Sequence, residues 1–152
     1  MNARLNPYQA SPETMKAMMA LETQVRASGL DPALVELVKI RASQINGCAY
    51  CLRTHTTEAR AKGELEERIF LLDAWRESPL YSERERAALA WTEALTLVAT
   101  SHVPDAVYQE ARAQFSEEEL VKLTLLINAI NGWNRFGVAF RSVHPVKLAH
   151  AA

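Results

Sequence analysis

Residues that mark membrane, fibrous or nucleic-acid-binding proteins are scarce in this chain of 152 residues. Aromatic side chains make up 7%, too few for a platform that stacks bases. The formal net charge is −1, so no general basic surface is available to nucleic acid or an anionic membrane. The five glycines and six prolines stand singly and read as element boundaries, which excludes low-complexity and collagen-like chains. The longest apolar-leaning stretch, 120–140, is interrupted by Lys122, Thr124, Asn128, Asn131, Asn134 and Arg135, so it reads as a buried or interface helix and not a span. The first residues lack an uninterrupted apolar core and a cleavage site, and the cytoplasm is the expected location. What remains is ordinary globular composition, 49% hydrophobic and 23% charged, sized for one domain over 1–152.

Cysteine is equally rare, and its placement is informative. Both cysteines lie in Cys48-Ala49-Tyr50-Cys51. A bridge across two intervening residues closes too small a loop to stabilise a fold. A lone CxxC in a reducing compartment points instead to redox chemistry or metal binding.

Turn and cap signals divide the chain into helices. Ser11-Pro12 and Asp31-Pro32 are start signals, and Gly29 and Asn46-Gly47 are stops. A helix is predicted from Cys48 or its neighbour to Gly63, and a short one from about Leu65 to Arg76. Ser82-Glu83-Arg84-Glu85 and Ser116-Glu117-Glu118-Glu119 read as capping boxes, opening helices that run to Val98 and to near Ser142. Pro104 starts a piece ending near Phe115. No useful stretch alternates with period two, so the expected fold is all-α with about seven helices. Residues 143–152 are expected to be a flexible tail holding His144 and His150, while His102 reads as a loop or cap residue and Trp75 and Trp91 as core. Glu36-Leu-Val-Lys39 before Ile45-Asn-Gly47 echoes Glu119-Leu-Val-Lys122 before Ile130-Asn-Gly132, which leaves open chance or a duplicated helical hairpin.

Chemistry concentrates in one place. At about 100° per residue, Cys48, Cys51 and His55 fall within roughly 60° on one helix face. His55, four residues after Cys51, can take the thiol proton or, once charged, hold the thiolate. The helix dipole favours thiolate near the N-terminus and singles out Cys48 as the more exposed thiol. If Asn46-Gly47 reverses the chain, Glu36 stands at the height of His55, within about 3 Å along the hairpin at 1.5 Å per residue. Its apolar neighbours Ala33, Val35, Leu37 and Ile40 predict a pKa raised by burial, as for a base. Cys48, Cys51, His55 and Glu36 also have the donor types of a zinc site, though crowded and without a second CxxC.

Glu36, eleven residues, then Cys48-x-x-Cys51-x-x-x-His55 resembles the signature of the alkylhydroperoxidase D-like, carboxymuconolactone decarboxylase-like superfamily. The stretch Phe115-Ser-Glu-Glu-Glu-Leu120 through Asn131-Gly-Trp-Asn-Arg135 is similar to the C-terminal segment of its short members. The resemblance implies an all-helical homo-oligomer, a trimer or hexamer, that reduces hydroperoxides through thiols without a metal or other cofactor. It implies that Cys51 is peroxidatic, Cys48 resolving, and Glu36 and His55 a proton relay. The partners implied are a peroxide and a dithiol reductant such as a dihydrolipoyl carrier protein. Alkylhydroperoxidase D itself has a histidine before its second cysteine, where this chain has Tyr50. Tyr50, Asn131, Asn134 and Arg135 are candidates to line the site. A disulfide carrier or reductase and a non-redox zinc- or ligand-binding protein are the alternative readings.

Overall fold

The computed structural model describes residues 2–144. Helix starts follow the local chemistry of the sequence. Asn6 caps α1 (Pro7–Ala10) by accepting from the amides of Tyr8 and Gln9. α2 spans Pro12–Arg26, and Asp31 caps α3 (Pro32–Asn46) by accepting from the Leu34 amide at 2.9 Å. Gly47 ends α3 with φ of 66°, a left-handed conformation that costs glycine little, and α4 (Ala49–Ala61) starts at once. α5 (Glu66–Leu71) tightens into a 3-10 turn over Leu72–Glu77. Both expected capping boxes form, Ser82 with Glu85 opening α6 (Glu83–Thr96) and Ser116 with Glu119 opening α9 (Glu117–Ala139). α7 (Val98–Ser101) and α8 (Asp105–Gln114) lie between them.

The architecture is all-α, and no strand occurs among the described residues. They form nine α-helices and a 3-10 turn, more than the seven expected. The additions are four-residue pieces, α1 and α7, too short to show a 3.6-residue period, and a change of helix type at Leu72. His102, with φ of 50°, is the C-cap of α7. Most of the expected tail, including His150, lies outside the described residues.

α3 is the central helix and packs against α4, α6 and α9. Leu37, Val38, Ile40 and Ala42 are fully buried around its circumference, as a helix enclosed on several sides requires. One core cluster joins Val25, Leu34, Val38, Trp91, Leu123 and Ile127, and a second packs Leu37, Ile40, Leu72, Trp75 and Leu89. Two of the glycines are not boundaries. Gly132 and Gly137 lie inside α9, and a Cβ at Gly132 would stand 3.0 Å from Cε of Met18 on α2. The Asn131-Gly132 pair therefore serves close packing and makes no turn, and the echo of Asn46-Gly47 is not a second hairpin.

Candidate active site

The left-handed Gly47 reverses the chain and sets Cys48 as the N-cap of α4. Cys48 Sγ accepts from the Cys51 amide at 3.4 Å, a cap made by sulfur. The two cysteines are joined as a disulfide, with Cα atoms 5.4 Å apart. Around them lie Ala42 of α3, Ile130 and the half-buried Trp133 of α9. α9 comes nearest at Gly137, where a Cβ would stand 2.8 Å from Cys48 Sγ and 3.6 Å from Cys51 Sγ. Both cysteines are buried, Cys48 at 2% exposure and Cys51 at 6%. Cys48 is thus not the exposed thiol that helix-end electrostatics suggested, because α9 covers the start of α4 at this point.

Across the hairpin, His55 of α4 meets Glu36 of α3, with Nδ1 2.9 Å from Oε2. The other carboxylate oxygen accepts from Lys62 Nζ at 2.6 Å. Glu58 lies 3.7 Å from the same His55 nitrogen. An ionised carboxylate can only accept, so Nδ1 donates to Glu36, and in a neutral ring Nε2 is left as the acceptor. Cys51 lies one turn earlier on the same helix, on the face that carries His55.

The carboxyl of Glu36 is not a raised-pKa base. Burial is the largest single influence and pushes it up, but the hydrogen bonds and charges of His55 and Lys62 outweigh it. Its pKa is held down at about 2 instead of the usual 4.5. The apolar neighbours read from the sequence are present, but the partners supplied by α4 decide the sign. Glu36 is therefore ionised at neutral pH and holds His55 through Nδ1.

With Cys48 and Cys51 joined to each other, the oxidised form offers no thiolate pair to a zinc ion. Glu36, His55 and Glu58 offer one ligand atom each within 4.8 Å, but Lys62 already supplies the positive charge there.

Of the remaining candidates, Tyr50 stands on the outside of α4, 42% exposed. Asn131 and Asn134 fix α9 to the end of α3, each accepting from Asn46 Nδ2 at 2.9 Å. Asn134 also donates to Ser43 Oγ at 2.9 Å. Arg135 bonds the Asn131 carbonyl at 2.9 Å and lines, with Asn46, Asn134, Val138 and Ala139, an open cavity of about 320 Å³. The two asparagines anchor the helix that carries Trp133 and Gly137, and neither they nor Arg135 hydrogen-bonds Cys48, Cys51, His55 or Glu36.

A second buried charge pair stands behind Trp133. Lys39 of α3 donates to Glu22 of α2 at 2.6 Å, with both side chains buried, and the Trp133 indole donates to the same carboxylate at 3.2 Å. Burial pushes Glu22 up, and Lys39, Arg26 and Trp133 more than compensate, leaving it below the usual carboxylate range. Reading the sequence missed Lys62, Gly137, Trp133 and Lys39. Lys62 lies seven residues after His55, two turns along one face, and Gly137 interrupts a helical pattern without ending it.

These features define an all-helical protein built around a buried CxxC with a histidine–carboxylate pair on the same hairpin. A profile of the carboxymuconolactone decarboxylase family matches residues 12–94, and the chain belongs to that family. It is 45% identical over 139 residues to the uncharacterized protein YdfG of Bacillus subtilis, covering 91% of this chain and 95% of that one. A crystal structure from Agrobacterium tumefaciens, of a protein of unknown function described as a candidate antioxidant defence protein AhpD, superposes with a TM-score of 0.94 at 51% identity. That match covers 96% of this chain and 100% of that one. The debrominase Bmp8 shares the fold, with a TM-score of 0.80 at 23% identity over 89% of this chain and 73% of that one.

Proposed function

We propose that this chain is a thiol-dependent peroxidase reducing hydrogen peroxide or organic hydroperoxides. The observation that carries the reading is the pairing of Cys48 with Cys51 on the helix that holds His55, itself fixed by Glu36 at 2.9 Å. In the reduced protein, His55 Nε2 takes the proton of Cys51. The thiolate attacks the terminal oxygen of the peroxide, the O–O bond breaks, and the leaving alkoxide or hydroxide takes the proton back from His55. Cys51 is left as the sulfenic acid, two electrons oxidised. The Cys48 thiol then displaces water and forms the disulfide. A dithiol, for which a dihydrolipoyl group on a carrier protein is the candidate, reduces that disulfide and is itself oxidised.

Burial of both sulfurs favours a small peroxide at the first step over direct docking of a folded disulfide partner. The apolar wall of Ala42, Ile130 and Trp133 keeps water away from the sulfenate until Cys48 reacts. In this reading Glu36 and Lys62 tune His55, the 1–152 chain acts as one domain, and the active form is a homo-oligomer in the cytoplasm. Stopped-flow mixing of the reduced Cys48→Ser protein with cumene hydroperoxide tests the assignment. One equivalent of trappable sulfenate on Cys51 is expected, and a Cys48→Ser protein whose thiol survives the peroxide contradicts it.

A further inference from the structure

Glu36 holds its carboxylate in a nearly closed position, its side chain 3% exposed, yet both oxygens have partners from one helix. A carboxylate buried to this degree needs a compensating positive charge. His55 supplies a full charge only when protonated, and an imidazole that already carries two protons cannot accept the one on Cys51. Another cation has to stand against Glu36 for the ring to serve as a base. Lys62 meets that requirement. Its ammonium reaches inward from the C-cap of α4 with the side chain 45% exposed, and its Nζ lies 2.6 Å from Oε1. Glu58, on the far side of His55 Nδ1 at 3.7 Å, adds negative charge to the cluster. Among the described residues, His55 and Lys62 are the only side chains bonded to Glu36, and Lys62 is the one that brings a charge without a second proton on the ring.

We propose that Lys62 is a positioning residue of this site, compensating and orienting the Glu36 carboxylate so that His55 remains a base toward Cys51. The proposal rests on the peroxidase reading for the role of Cys51 as the attacking thiol. Without Lys62, burial is opposed by His55 alone, and Glu36 takes up its proton at higher pH. The protonated carboxyl no longer fixes Nδ1 as a donor, so the loss of thiol activation is greatest on the acid side.

The test uses Cys48→Ser as background and compares Lys62 with Lys62→Met and Lys62→Arg from pH 5 to pH 9. Alkylation of Cys51 by iodoacetamide reads thiol activation without any peroxide. Lys62→Met is expected to slow alkylation about tenfold at pH 5 and about threefold at pH 8, and Lys62→Arg to restore most of both. The Glu36 carboxyl carbon, followed by NMR, is expected to titrate at least about one pH unit higher in Lys62→Met. A Lys62→Met profile parallel to the background, faster alkylation at pH 5, or equal losses in Met and Arg variants overturns the proposal. The same proteins are then mixed with cumene hydroperoxide. If the background protein leaves peroxide unconsumed while alkylation follows the expected pattern, the peroxidase reading fails and the role of Lys62 stands.

Discussion

Replacing Gly137 with alanine distinguishes the oxidised protein from the reduced one. The new Cβ would lie 2.8 Å from Cys48 Sγ and 3.6 Å from Cys51 Sγ. Ordinary contact between heavy atoms lies near 3.5–4.0 Å, so roughly 0.7 Å or more has to be found at Cys48. While the disulfide holds, Cys48 Sγ is tied to Cys51 and cannot turn aside, and α9 has to move. Overpacking of this kind costs about 1–3 kcal/mol. Reduction frees the Cys48 side chain to rotate, and alanine inside a helix is worth about 0.8–1.0 kcal/mol over glycine. Urea unfolding is therefore expected to show the oxidised Gly137→Ala protein destabilised and the reduced one unchanged or slightly stabilised. A difference of about 1–3 kcal/mol between the two states makes the disulfide easier to reduce, by roughly 20–60 mV against a dithiol buffer. Equal changes in both redox states, with an unmoved potential, would refute the reasoning. That result would mean that α9 yields freely and that the glycine is not reserved for the sulfurs.

Other parts of the structure make independent predictions. Lys39→Met leaves Glu22 buried without its main partner and is expected to cost about 3–5 kcal/mol in chemical denaturation, whereas Lys16→Met, in an exposed pair with Glu13, is expected to cost less than about 1 kcal/mol. Asn134→Ala removes one hydrogen bond each from Asn46 and Ser43 and leaves a buried gap, with an expected loss of about 1–3 kcal/mol by the same assay. Glu22, Glu36, Glu85 and Glu93 are all held below the ordinary carboxylate value of 4.5, so each stabilises the fold above that pH. Their contribution is lost as pH falls, for Glu36 between about 4.5 and about 2, and urea midpoints are expected to drop steeply across that window. Glu36→Gln is expected to flatten part of that dependence and to slow Cys51 alkylation at neutral pH, and an unaltered alkylation rate would remove Glu36 from the site.

Much of the fold was legible because its signals are local. Asp31-Pro32, Asn46-Gly47, Ser82-to-Glu85 and Ser116-to-Glu119 act on their own backbone, so each could be read without knowing what it packs against. The meeting of Glu36 and His55 was accessible through one turn and a count of residues along two helices. What was hidden depends on contacts distant in sequence. His55 and Lys62 together reverse the direction expected for Glu36, and nothing around position 36 announces partners 19 and 26 residues away. The covering of Cys48 comes from Gly137 on α9, so a local argument about the α4 terminus predicted exposure where burial occurs. Lys39 and Glu22 lie 17 residues apart, and only the packing of α2, α3 and α9 brings them together beside Trp133.

The central claim is that Cys51 attacks peroxide and Cys48 resolves the product, and counting thiols tests it most directly. The reduced protein, checked for bound metal, is titrated for free thiols before and after one equivalent of cumene hydroperoxide, in wild type and in Cys48→Ser. The expected result is rapid loss of both thiols in wild type and a trappable sulfenate on Cys51 in the variant. Thiols that persist in wild type after the peroxide is added would contradict the account.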